Sequence, residues 1–68
     1  MSSKDSISDQ IKQAREKAKL TQEEVAQKAG LNVSYYARLE RGEVDNPTKK
    51  TLEAVAKVLK IKIQISAS

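Results

Sequence analysis

The 68-residue sequence contains no cysteine and no histidine. Without cysteine, no disulfide can staple the fold, and nothing marks an oxidising compartment. Losing both residue types removes the commonest zinc ligands, so neither a metal nor a cofactor is expected. The same gap takes away the usual catalytic partners, and the serines have no base beside them. Only two glycines are present, too few for a glycine-rich phosphate loop. No catalytic residue is expected, and the chain does not read as an enzyme. No apolar run approaches the roughly 20 residues of a transmembrane helix. The first residues, MSSKDSIS, lack the apolar centre of a signal peptide. The expectation is a soluble intracellular protein with no membrane partner.

What remains is small and mildly basic. A chain this short buries only about 60% of its unfolded surface, so its core is marginal. With disulfides and metals excluded, oligomerisation is the remaining route to extra stability. Thirteen Lys and Arg stand against nine Asp and Glu, a net charge of +4. The charges are interspersed. That balance suits an anionic partner, and it equally suits ordinary solubility.

The chain is organised around residues 21–42, TQEEVAQKAGLNVSYYARLERG, which read as two short helices joined by a tight turn. Residues 1–5 are polar and expected to be disordered. Ser6 can cap a first helix, with Asp9 three residues on. Ile7, Ile11, Ala14 and Ala18 then recur at helical spacing, which predicts a helix over 7–19. Arg15 sits beside that stripe and is expected to point partly inward. Thr21 and Glu24 form the T-x-x-E capping box of a second helix. Val25, Ala26 and Ala29 give it a small-residue apolar face, and Gly30 suits a left-handed turn after it. Asn32 can cap a third helix over 33–41. Tyr36 and Leu39 face inward, leaving Val33, Ser34, Tyr35, Ala37 and Arg38 on outer or flanking faces. Gly42 closes this helix, and Asn46-Pro47 marks a loop. Thr48 caps a fourth helix over 49–59, with Leu52, Val55, Ala56 and Leu59 as its apolar stripe.

After residue 60 the period changes. Ile61, Ile63 and Ile65 alternate with Lys62, Gln64 and Ser66, which predicts a β-strand. A lone strand leaves its backbone groups unpaired, and no second strand is foreseen in the chain. The expected partner is the same strand of another copy, across a twofold axis.

The ordered set L-T-Q-E-E-V-A-Q-K-A-G-L, S-Y-Y-A-R-L-E-R-G, N-P-T and T-L-E-A-V-A-K-V-L resembles the Cro/C1-type (XRE) helix-turn-helix family of phage repressors and bacterial regulators. The resemblance covers about residues 7–59. It implies a mainly α, lambda-repressor-like bundle of four helices over 6–60; the C-terminal dimerisation strand and tail at 61–68 depart from the family pattern, in which many members continue into a fifth helix. Its third helix would enter the DNA major groove.

By that resemblance, Val33 and Ser34 hold the main base-reading positions. Arg38 would donate to guanine O6 and N7, or take a phosphate. Tyr35 would offer its hydroxyl to a phosphate or its ring to a thymine methyl. Gln22 would bond a phosphate and brace the first side chain of the third helix. Asn32 would reach the DNA backbone beside its capping role. Arg41 and Lys49 flank the loop before the fourth helix, whose first amides offer a phosphate site, although Glu43 and Asp45 oppose it. Each of these residues also reads simply as solvated surface. The resemblance further suggests that Arg15 pairs with Glu40 as a structural ion pair.

The partners implied are double-stranded DNA and a second copy of the chain, joined through Ile61, Ile63 and Ile65. The implied role is a cytoplasmic, nucleoid-associated regulator, most naturally a repressor. Two other roles fit the same scaffold. One is an antitoxin that binds a toxin protein and represses its own operon. The other is a protein-interaction domain with no DNA function.

Overall fold

Every helix among the described residues starts on a side-chain cap and stops in the same kind of turn. A computed structural model describes residues 6–63. The helices are α1 (Ile7–Lys17), α2 (Gln22–Ala29), α3 (Val33–Glu40) and α4 (Lys49–Leu59). Ser6 Oγ accepts the Asp9 amide at 3.2 Å. Thr21 Oγ1 accepts from Glu24 N at 3.0 Å while Glu24 Oε1 accepts from Thr21 N at 2.8 Å, which completes the capping box. Asn32 Oδ1 accepts from Ser34 N at 2.8 Å, and Thr48 Oγ1 from Thr51 N at 3.1 Å. Each cap satisfies an amide that the helix itself leaves without a partner.

The helix ends repeat one pattern. Lys19, Gly30, Gly42 and Lys60 all adopt positive φ, between 59° and 75°. In each case the next residue's amide bonds five residues back: Leu20 to Arg15 O, Leu31 to Ala26 O, Glu43 to Arg38 O and Ile61 to Ala56 O. This is the Schellman arrangement. Glycine adopts that conformation freely at 30 and 42, whereas lysine accepts some strain at 19 and 60. Lys19 therefore lies beyond α1, which is two residues shorter than the periodicity predicts. Ala18, expected on the apolar stripe, is exposed at the helix end. After the left-handed residue, Leu20, Leu31 and Ile61 each fold back onto the core. Only the fourth such position, Glu43, is exposed.

The core holds Ile11, Val25, Ala26, Tyr36, Leu39, Leu52, Val55 and Leu59. It draws on all four helices: α2 lies against α3 and α4, and α1 against the same two. Ala26 lets backbones approach closely where α2 is sandwiched. Burying each large aliphatic side chain favours the fold by about 1.5–3 kcal/mol relative to exposure. No helix among the described residues is long and apolar enough to cross a membrane.

The described residues contain no strand. The strand expected from Ile61 onward is not found at residues 61–63, and the reason is physical. A strand needs a paired edge, and the described residues of one copy supply none. The Ile61 amide instead completes the turn that ends α4, at 3.0 Å from Ala56 O. Ile61 and Ile63 pack, half-buried, against the core of their own chain. Ile65 and the rest of the 64–68 tail lie outside the described residues, as does the segment 1–5 expected to be disordered.

Candidate nucleic-acid interface

The surface of α3 is set by its cap and its buried face. Asn32 fixes the helix start, and no acidic residue follows in the first turn. The positive end of the helix is thus unopposed by its own side chains. Val33 is 38% exposed, the one large apolar residue so exposed among those described. Ser34 and Arg38 are exposed, and Tyr35 is half-buried. Ser34, Arg38 and Arg41 are spaced i, i+4, i+7, so they share one stripe.

The opposite face is anchored through Glu40, a buried carboxylate. Arg15 Nε donates to Glu40 Oε2 at 2.7 Å, and Arg15 Nη2 to Oε1 at 3.2 Å. Arg15 Nη1 donates to the Leu20 carbonyl at 2.8 Å. Gln22 Nε2 adds a bond to Glu40 Oε1 at 3.0 Å. One carboxylate thereby ties the end of α3 to α1 and to the start of α2. Burial pushes the Glu40 carboxyl up, but the Arg15 hydrogen bonds, the adjacent Tyr36 hydroxyl and Gln22 outweigh it. Its pKa ends below the ordinary carboxylate value. The Tyr36 hydroxyl is buried beside this cluster, next to the Glu40 carboxylate. Desolvation first, and then the neighbouring Glu40 charge, raises its pKa above the ordinary phenol value.

Gln22 therefore has a partner inside the bundle that the sequence does not announce. Its amide nitrogen bonds the carboxylate at the far end of α3. A half-buried donor within 3.0 Å of a buried carboxylate finds its strongest acceptor there.

At the other end of the α3 stripe, Arg41 Nε donates to Glu43 Oε2 at 3.0 Å and Arg41 Nη2 to Oε1 at 3.2 Å. Arg38 Nε lies 3.9 Å from the same Oε1. Gly42, with φ +75°, turns the chain so that Glu43 faces back over both arginines. The Arg41 hydrogen bonds hold the Glu43 carboxyl below its ordinary pKa. Lys49 stands apart. It is exposed and borders an open groove lined by Leu52, Ala56, Ile61 and Ile63.

Glu43 is the residue whose part in this surface the sequence reading underrates. Periodicity marks it only as loop. The available signal was its place directly after a helix-ending glycine, where the other three helix ends carry Leu or Ile.

Residues 11–65 match the helix-turn-helix family model. The immunity repressor protein of Bacillus phage phi105 is 46% identical to this chain over 57 residues, which cover 84% of this chain and 39% of that repressor. This chain thus spans well under half the length of that curated relative. No solved structure matches it. With its capped α2 and α3 joined through Gly30, and with the match extending over most of its length, the chain belongs to the helix-turn-helix family, in its Cro/C1-type, phage-repressor-like branch.

Proposed function

We propose that this chain is a sequence-specific DNA-binding transcriptional regulator that represses by occupying an inverted-repeat operator as a homodimer. The observation that carries this reading is the exposed α3 stripe, mounted on a helix whose inner face is fixed by Glu40. A major groove about 12 Å wide admits one α-helix. Val33 and Ser34, at the start of α3, suit base edges, and Tyr35 and Arg38 extend the contact. Gln22, Asn32 and Lys49 stand at or beside the starts of α2, α3 and α4, where amides favour a backbone phosphate. The likeness to a protein named as an immunity repressor supports repression as the outcome.

The DNA-binding unit is residues 6–60, and residues 61–68 join two copies. Ile61 and Ile63 are only partly covered and line a groove with Leu52 and Ala56, which a second copy would fill. An inverted-repeat operator requires two α3 helices about 34 Å apart, the spacing of successive major grooves on one face of DNA. Selection of bound duplexes from a random pool tests the reading. Enrichment of a short palindrome is expected; failure to enrich any sequence overturns it. Removal of residues 61–68 is expected to give a monomer by sedimentation. A truncated chain that remains dimeric overturns the assigned interface.

A further inference from the structure

We propose that Arg38 and Arg41 form one clamp for a single DNA backbone phosphate, and that Glu43 occupies this clamp in the free protein. The inference rests on the DNA-binding reading above and assigns Arg38 to the backbone, not to guanine.

Two guanidinium groups converge on one carboxylate. Arg41 holds both Glu43 oxygens, at 3.0 and 3.2 Å, and Arg38 approaches one of them at 3.9 Å. A phosphodiester presents the same pattern, two acceptor oxygens sharing one negative charge, and arginine recognises both with the same fork. Glu43 thus stands in for the ligand. All three side chains are at least half exposed, so exchanging the carboxylate for a phosphate leaves no buried charge behind. Exposed pairs of this kind hold weakly.

The placement of Glu43 supports the assignment independently of these distances. Four helices end in the same turn, and in three of them the following residue is apolar and packed on the core. At α3 alone that residue is acidic and turned back along the helix. Nothing in the packing requires this, since Val44 beside it supplies the apolar contact to the core. The clamp also continues the stripe from Ser34, which brings it to the edge of whatever groove α3 enters. A backbone contact carries no sequence information. Glu43 therefore sets the overall affinity of the surface and not its choice of bases.

The test is the affinity of a labelled mixed-sequence duplex, about three helical turns long, measured by fluorescence anisotropy across a salt series. The full chain is compared with Glu43→Gln, Arg41→Gln and the double variant. Glu43→Gln is expected to bind several-fold more tightly at low salt. Its salt dependence should steepen by about one phosphate's worth, an extra loss of about 3.5-fold for a fourfold rise in salt. In the Arg41→Gln background the Glu43→Gln gain should largely vanish, because the clamp is already broken. Melting curves confirm that each variant is folded. An equal gain in both backgrounds overturns the clamp, since it would reflect general charge repulsion. No gain at all overturns it too, and either result leaves DNA binding itself intact. If neither the parent chain nor any variant binds duplex DNA, the clamp and the proposed function fall together.

Discussion

Two arginine–glutamate pairs flank the end of α3, with almost the same geometry. Arg15 grips Glu40 at 2.7 and 3.2 Å, and Arg41 grips Glu43 at 3.0 and 3.2 Å. Their surroundings differ. The Glu40 and Arg15 side chains are 2% and 15% exposed, against 50% and 57% for Glu43 and Arg41. The first pair joins residues 25 apart and links two helices, while the second spans two positions of one turn. Bond length does not distinguish them, so burial must. A charge taken out of water cannot lose its partner without a large penalty, whereas a solvated one can trade partners freely. The inner pair is a fixed joint, and the outer pair is an exchangeable contact.

The sharpest way to break this contrast is to remove Glu40. Glu40→Ala strands the Arg15 guanidinium and frees the Gln22 amide. A loss of about 3 kcal/mol is expected, the low end for a broken buried pair because Arg15 keeps some solvent. For a domain of this size Tm should fall by about 12 °C or more, read from a thermal melt by circular dichroism. Replacing both partners together, Arg15→Met with Glu40→Leu, should recover much of that loss. A Glu40→Ala melt matching the parent chain would make the two pairs equivalent and dissolve the comparison.

Acid should expose the same joint without mutation. The Glu40 pKa is lowered on folding from its ordinary value of 4.5. The unfolded chain therefore takes up the proton first as pH falls. The stabilisation is fully present above pH 4.5 and is lost as pH drops through the folded value. Tm measured from pH 6 downward should hold and then fall. Glu40→Gln should flatten that fall, because the titrating carboxyl is gone.

How much of this was legible in the sequence depends on range. The four helices were, since Ser6, Thr21, Asn32 and Thr48 cap by bonds within three residues and apolar spacing is a local signal. The left-handed turns at Gly30 and Gly42 were legible because glycine signs them. Those at Lys19 and Lys60 were not, because lysine signs nothing and the packing of Leu20 and Ile61 imposes them. The bond from Gln22 to Glu40 was hidden for a related reason. The Gln22 amide answers to a carboxylate 18 residues away, and only the assembled bundle brings the two together. The isoleucine alternation after Lys60 has period two, but within one copy a period supplies no hydrogen-bond partner.

Gln22 offers an intermediate test, because it touches the inner joint from a half-exposed position. Gln22→Ala deletes one hydrogen bond to Glu40 and leaves both Arg15 bonds in place. Hydrogen bonds to charged groups contribute about 1.5–3 kcal/mol when buried, and this one is partly wet, so about 1 kcal/mol is expected. Tm should fall by about 4–8 °C, clearly less than for Glu40→Ala. A larger fall than Glu40→Ala would mean that α2, and not α1, fixes the end of α3.

The smallest expected effect falls on the outer pair, and its smallness is the informative part. Glu43→Gln keeps the shape of the side chain and removes the charge that holds Arg41. Both groups are solvated, so water takes over the bonds each loses. Gly42, not Glu43, sets the turn, and the Glu43 backbone amide keeps its bond to Arg38 O at 2.9 Å. Tm should stay within the error of the melt, at low salt and at high salt alike. A drop approaching that of Gln22→Ala would show that the outer pair clamps the chain after α3. A carboxylate needed for that could not yield to a phosphate at little cost, and the two pairs would then differ in degree only.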